Sequence, residues 1–343
     1  MDRDDVYREL QSRFCTGSLL VVGSGIAAKY GVPGMPALGR HLVAEMPSAL
    51  HAAAVDATTW KKVAEDLNRH VSLERAMDAL GPYDPMLPLL AKVTADFISK
   101  GESVALTQIA AGSDAVALQR LLQYFSRTST APLVITTNYD RLVEICCERA
   151  RVAVDSGFYG QYAAWYDEVD SVQSVVEPSR IRKGAQGYRN HIKLAKPHGS
   201  LDWFLVNGEP MRLSFAVDAE RLMITPGESK FAQGHKPPFD AHMQRASRGV
   251  DEATSIIFLG YGFADPHLQT HLPRRFSQKV PAVILTLELS ADAHIMLERF
   301  PHILGVEATS SRAGSRIYRD GKVIELRDAS LWDIDFLMNE VLL

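Results

Sequence analysis

Four short apolar runs, each ending in glycine or polar residues ahead of a helix-favouring stretch, constrain this chain more than any other feature. They are Leu19-Leu20-Val21-Val22, Leu133–Thr137, Ser255–Leu259 and Ala282–Leu287. Such runs, rich in β-branched residues and without alternation, read as strands buried on both faces of a parallel sheet. Asp140 before Arg141–Arg149, Asp265-Pro266 before His267–Leu272 and Ser290 before Ala291–Phe300 then supply N-cap chemistry, with proline at a first helical position in one case. The expected fold is α/β, a Rossmann-like, mostly parallel sheet.

Between the first two runs the pattern changes. From about residue 38 to 130 the chain is rich in Ala, Leu, Glu, Lys and Arg, with apolar residues at helical spacing, as in Leu118, Leu121, Leu122 and Phe125. Gly81-Pro82, Asp84-Pro85, Gly101 and Gly112 divide it into several helices. The expected organisation is a sheet domain from residues 1–37 and 131–343, interrupted by a helical subdomain at 38–130. A helix is also expected over Leu331–Leu343. A ligand belongs in the cleft between sheet and helical block, at the carboxyl edge of the strands.

Composition excludes several classes. With 343 residues, 46% of them hydrophobic, the chain can bury one large core or two modest ones. A net charge of −4 gives no general basic surface, so direct nucleic-acid binding is not expected. The cysteines, Cys15, Cys146 and Cys147, contain no C-x-x-C and support neither a disulfide framework nor a four-cysteine zinc site. No run approaches a membrane span and the acidic start has no signal-peptide core, so a soluble cytoplasmic protein is expected.

Four segments carry the candidate chemistry. In Leu19–Pro33 the strand meets Gly23-Ser24-Gly25, an order that suits a pyrophosphate at a helix start and equally an ordinary tight turn. In Thr136-Thr137-Asn138-Tyr139-Asp140, Asn138 can hold a ribose hydroxyl or a water, while both Asn138 and Asp140 also suit helix capping. Pro197-His198-Gly199-Ser200 reads as a loop presenting an imidazole, with Gly199 permitting close approach of a ligand and Ser200 a further contact or part of the turn. Gly260 and Gly262 repeat the strand-to-glycine-to-helix order, and Glu288 ends the next strand where a carboxylate can accept from an adenosine ribose. A Gly-x-Ser-x-Gly elbow is missing, which removes the serine-hydrolase reading.

In this order the segments resemble the sirtuin superfamily. Gly23-Ser24-Gly25-Ile26-Ala27 is similar to its Gly-Ala-Gly-x-Ser, Thr136 to Asp140 to its Thr-Gln-Asn-x-Asp, and His198-Gly199 to its catalytic His-Gly pair. The chain is more similar still to the sirtuin-like NAD hydrolases of bacterial anti-phage defence. Gly31, Pro33 and Leu38 fit their Gly-x-Pro-x-Trp-x-x-Leu with Met35 in the aromatic position. Thr-Thr-Asn-Tyr-Asp is matched throughout, Lys196 and His198 to Ser200 fit Lys-x-His-Gly-Ser, and Gly260 to His267 fit Gly-Tyr-Ser-x-x-Asp-Pro-His with Gly262 for Ser. Thr286 stands where many sirtuins place a ribose-binding asparagine, and cysteines for a zinc ribbon are missing.

The resemblance implies NAD as substrate, no zinc, and Asn138 and His198 as the catalytic residues. It implies contacts to NAD from Gly23, Ser24, Gly25, Ile26, Pro33, Thr137, Asp140, Gly260, Gly262 and Glu288. The expected reaction is cleavage of NAD to nicotinamide and ADP-ribose by water, since nicotinamide is a cationic leaving group that needs no strong nucleophile. Deacylation, ADP-ribosyl transfer and non-catalytic sensing of NAD or ADP-ribose are the alternatives. The resemblance also implies a homo-oligomer working with a separate activator such as a HerA-type ATPase.

Overall fold

In the computed structural model, which describes residues 2–81, 83–112, 115–177, 187–215, 217–227 and 236–342, the apolar runs become the centre of one sheet. Its strands, with those of a smaller second sheet, are β1 (Ser18–Val22), β2 (Leu133–Thr136), β3 (Ala153–Asp155), β4 (Phe158–Tyr159), β5 (Ala163–Tyr166), β6 (His191–Ala195), β7 (Gly199–Val206), β8 (Glu209–Leu213), β9 (Glu220–Met223), β10 (Ser255–Leu259), β11 (Ala282–Leu285), β12 (Leu304–Ala308), β13 (Ser315–Arg319) and β14 (Lys322–Leu326). The helices are α1 (Arg3–Arg13), α2 (Ser24–Lys29), α3 (Met35–Ala52), α4 (Thr58–Asn68), α5 (Leu73–Met77), α6 (Leu87–Ala111), α7 (Ala117–Phe125), α8 (Leu142–Arg149), α9 (Glu168–Ser174), α10 (Phe239–Glu252), α11 (Pro266–Ser277), α12 (Ala291–Arg299) and α13 (Ile334–Phe336), the last running into a π-helical turn, Leu337–Leu342.

The main sheet has the order β14-β13-β12-β11-β10-β1-β2-β6-β3 and is parallel from β3 to β12, with an antiparallel hairpin at one edge. This is the Rossmann-like α/β architecture. Strand residues alternate between two cores: Leu20, Val22, Ile257 and Leu259 face α1, α7 and α8, while Leu19, Val21, Ile256 and Phe258 face α10, α11 and α12. Burial on both faces explains why these strands carry no polar alternation. The chain winds outward from β1 in both directions, so the switch point lies between β1 and β10, where doubly wound sheets open a crevice.

The helical block has its own core, made by Leu38, Leu42, Met46, Trp60, Val63, Leu73, Met77 and Leu90 among others. Ile98, Ala105, Ile109 and α7 pack instead with the sheet, so the division falls inside α6 and not at residue 130. Gly101 does not break a helix, because α6 runs through it. The missing side chain is filled by the ring of Pro33, which would collide with a Cβ there. Pro82 and residues 113–114 lie outside the described residues.

A second sheet, order β4-β5-β8-β7-β9 and antiparallel, is not expected from the four apolar runs. Its signal is the Asn207-Gly208 turn between β7 and β8, where both residues have positive φ, 54° and 84°. That pair closes a two-residue hairpin of the primed type. The C-terminal helix is shorter than Leu331–Leu343, starting at Ile334.

Candidate functional site

At the carboxyl ends of the adjacent strands β10, β1, β2 and β6, four turns meet around a cleft of about 810 Å³ including its open mouth. Of the predicted residues, Gly23, Ser24, Pro33, Thr137, Asn138, Asp140, His198 and Gly262 line it. Three carboxylates, from Glu74, Asp140 and Asp265, face it, and among the described residues no lysine or arginine lines it. Val32, Met35, Leu38 and Ile98 supply an apolar wall from the helical side.

Gly25, Ile26 and Gly260 lie behind the residues that line the cleft. A Cβ on Gly25 would stand 2.8 Å from the Cα of Gly260, and one on Gly23 would stand 2.6 Å from the Cα of Tyr261. The turn after β1 is therefore packed backbone to backbone against the turn after β10. The N–H groups are also used: Gly23 donates to Leu259 O at 2.9 Å, Gly25 to Gly260 O at 3.0 Å, Ile26 to Gly23 O at 3.2 Å and Gly260 to Leu285 O at 2.8 Å. These glycines join two βα turns and do not offer free donors to a phosphate. A Cβ on Gly262, by contrast, would meet nothing within 4 Å and would point into open space.

Asn138 is fixed by the same junction. Thr136 Oγ1 donates to Val22 O at 2.8 Å, Asn138 N donates to Thr136 Oγ1 at 3.2 Å, and Asn138 Nδ2 donates to Gly23 O at 3.2 Å. With its amide nitrogen held on Gly23, its carbonyl oxygen is the end free to accept.

His198 occupies the turn between β6 and β7. Its Nε2 lies 2.7 Å from Asp265 Oδ2, and both side chains are about as buried as core residues, 6% and 5% exposed. From the sequence, Asp265 reads as a helix cap and as the aspartate of the Gly-Tyr-Ser-x-x-Asp-Pro-His resemblance, with no role in the site assigned to it. The available signal was its position beyond β10, since a polar residue past a buried parallel strand reaches the same edge as Asn138 and His198. Gly199, at φ 81°, admits the carbonyl of Leu222 rather than a ligand.

Lys196, also fully buried, organises the turn that carries Asn138. Its Nζ donates to Asp140 O at 2.6 Å, Glu144 Oε1 at 2.9 Å and Ser200 Oγ at 3.0 Å. Ser200, at the start of β7, thus faces inward. Asp140 stands one residue before Arg141, the N-cap of α8, and accepts from Leu142 N at 3.1 Å across that turn. Burial pushes its carboxyl up to about 6, against the opposing pull of Lys196 and the Leu142 N–H. Glu144 is raised too, again by burial.

The helical wall is anchored to the sheet by a buried carboxylate. Glu102 of α6 accepts from Arg141 N at 2.6 Å and from Arg141 Nη2 at 2.6 Å, immediately beside Asp140. The guanidinium is held above its ordinary range, chiefly by this hydrogen bond. Glu74 Oε2 of α5 accepts from Gly227 N at 3.2 Å.

Glu288 does not reach the cleft. It lines a second crevice with His294, Glu307, Arg312, Arg316 and Tyr318, beyond β11 and β12. Among the described residues no three His, Cys, Asp or Glu side chains come together in a group able to hold a metal, and no helix is long and apolar enough to cross a membrane. Cys146 and Cys147 are buried in α8 and Cys15 is exposed, all as free thiols.

Among solved structures, the chain is similar to a Sir2 variant with a deacetylated p53 peptide and 3'-O-acetyl ADP ribose, at 12% identity and TM-score 0.44 over 99% of this chain and 98% of that one. It is similar to Sir2 with a p53 peptide and NAD+, at 13% identity and TM-score 0.41 over 88% and 92%. No curated protein matches the chain. The SIR2-like domain family matches residues 132–292, the stretch that carries Asn138, His198 and Asp265.

Proposed function

We propose that this protein hydrolyses NAD to nicotinamide and ADP-ribose. The observation that carries the reading is the meeting of Asn138 and the His198–Asp265 pair in one cleft onto which the carboxylates of Glu74, Asp140 and Asp265 open. Breaking the bond between C1′ and the pyridinium nitrogen returns an electron pair to that nitrogen and leaves positive charge on the ribose. Fixed carboxylates favour a cationic ring before cleavage and the charged ribose during it. Water then forms the new C1′–O bond and gives up a proton. Asn138 orients that water or the ribose hydroxyls, and His198 accepts the proton. Ser24 and Gly262 are the members of the glycine turns that remain to meet the phosphates. The match of residues 132–292 to the SIR2-like domain supports NAD as the ligand.

The resemblance to defence proteins extends the proposal. The chain depletes NAD in the cytoplasm during phage infection, without zinc, as a homo-oligomer activated by a separate partner such as a HerA-type ATPase. An activator acts by raising the fraction of competent sites. Purified chain incubated with NAD, with and without acyl-lysine peptide, is expected to release nicotinamide and ADP-ribose in equal amounts, at a rate raised by the partner. O-acyl-ADP-ribose would assign it as a deacylase, modified protein as a transferase, and binding without turnover under all conditions as a sensor.

A further inference from the structure

His198 follows β6 and Asp265 follows β10, and in the order β10-β1-β2-β6 two strands stand between them. At the usual strand spacing those axes are about 14 Å apart. The two turns must therefore reach toward one another over the ends of β1 and β2, where Gly23 and Asn138 lie. Contact at 2.7 Å over such a span crosses the floor of the cleft.

A buried carboxylate is costly unless it is paired. Here the group against it is an imidazole, and the contact is an ion-pair approach of Nε2 to Oδ2 at 2.7 Å that is not aligned as a hydrogen bond, so its hold on the ring is electrostatic. A carboxylate facing Nε2 favours the tautomer with its proton there, which leaves the lone pair on Nδ1. The other titratable groups around the cleft are Asp140 from the β2–α8 turn, Glu74 from α5, Tyr139 and Tyr261. Lys196 points away into its own cage of Asp140 O, Glu144 and Ser200. Both phenols are held neutral, Tyr139 and Tyr261 being raised above their ordinary range chiefly by burial.

We propose that Asp265 is the positioning residue for His198: it holds the imidazole with the proton on Nε2, so that Nδ1 accepts the proton released by water or a ribose hydroxyl, and it stabilises the imidazolium that forms. The catalytic part of this inference rests on the hydrolase reading, whereas the pairing stands on geometry alone.

The test combines nitrogen-15 NMR of the His198 ring with kinetics, using the full chain. With the ring neutral, the wild-type shifts are expected to report a protonated Nε2 and a bare Nδ1. In Asp265→Asn the two nitrogen shifts should move toward those of a mixture of tautomers, because the anion that held the proton on Nε2 has been removed. With NAD, kcat should fall on the order of 10²-fold or more with KM little changed. Asp265→Glu, which restores the carboxylate, should return part of both. A changed tautomer in Asp265→Asn in a chain that cleaves no NAD supports the pairing and overturns the hydrolase reading. A proton on Nδ1 in the wild type, or an unchanged tautomer in Asp265→Asn, overturns the pairing whatever the turnover.

Discussion

Lys196 Nζ donates to the main-chain carbonyl of Asp140 at 2.6 Å, so a buried cation two residues before His198 holds the turn that presents Asn138. The two catalytic candidates come from strands far apart in sequence. This bond, with those to Glu144 and Ser200, ties their turns into one piece.

Lys196→Met should therefore destabilise the fold. Removing the ammonium strands the buried Glu144 carboxylate and the Asp140 carbonyl, a loss on the order of 3–5 kcal/mol for a broken buried pair. Urea unfolding is expected to show a lower midpoint with an unchanged slope. An unchanged midpoint would mean that the cage contributes nothing to the fold.

Asn138→Ala and His198→Ala should each lower NAD turnover on the order of 10²-fold to 10⁴-fold while the far-ultraviolet circular dichroism stays that of the parent. His198→Ala should also cost about 1–3 kcal/mol, since it leaves Asp265 buried without the imidazole. Near-parental turnover at saturating NAD in either variant would remove that residue from the catalytic assignment.

Gly25→Ala and Gly262→Ala make an informative pair. The first places a methyl 2.8 Å from the Gly260 Cα, where only backbone can yield, and should cost about 1–3 kcal/mol. The second enters open space and should stay within about 0.5 kcal/mol of the parent in thermal unfolding, while changing affinity for NAD. Equal losses in the two variants would contradict the backbone-to-backbone packing of the glycine turns.

Asp140 makes a pH-dependent contribution whose sign follows from its raised carboxyl. The folded chain binds that proton more tightly than the unfolded chain, so stability is lost as pH rises from the ordinary aspartate range through about 6. Asp140→Asn can still accept from Leu142 N and has no proton to lose. Relative to the parent it should gain on the order of 3 kcal/mol between about pH 4 and pH 8. Parallel pH profiles of unfolding free energy for the two proteins would refute the assignment.

The central strands and several helix starts were legible because their causes are local. Unbroken β-branched runs exclude solvent on both sides, and Ser290 does cap α12, accepting from Ala293 N at 3.1 Å. The grouping of Asn138 with His198 was legible as well, since parallel strands deliver the residues beyond their carboxyl ends to a common edge. The small antiparallel sheet was less so. Its strands are short and partly exposed, and the Asn207-Gly208 turn was its clearest local mark.

Other features depended on which strands become neighbours. Asp265 reads locally as the cap of a helix, and only the order β10-β1-β2-β6 turns its carboxylate onto His198. Gly25 and Gly260 read as phosphate turns until their backbones are found in contact, which uses up the donors a phosphate would need. Glu288 ends a strand at the proper edge yet faces a different crevice, because β11 lies one strand further from β1 than β10 does. Sequence by itself determined the alternation of strand and helix and the polar residues that each strand end carries, through burial and local hydrogen bonding. The tertiary structure decided which of those residues meet, because strand order and the close approach of turns are set by packing over long separations in the chain.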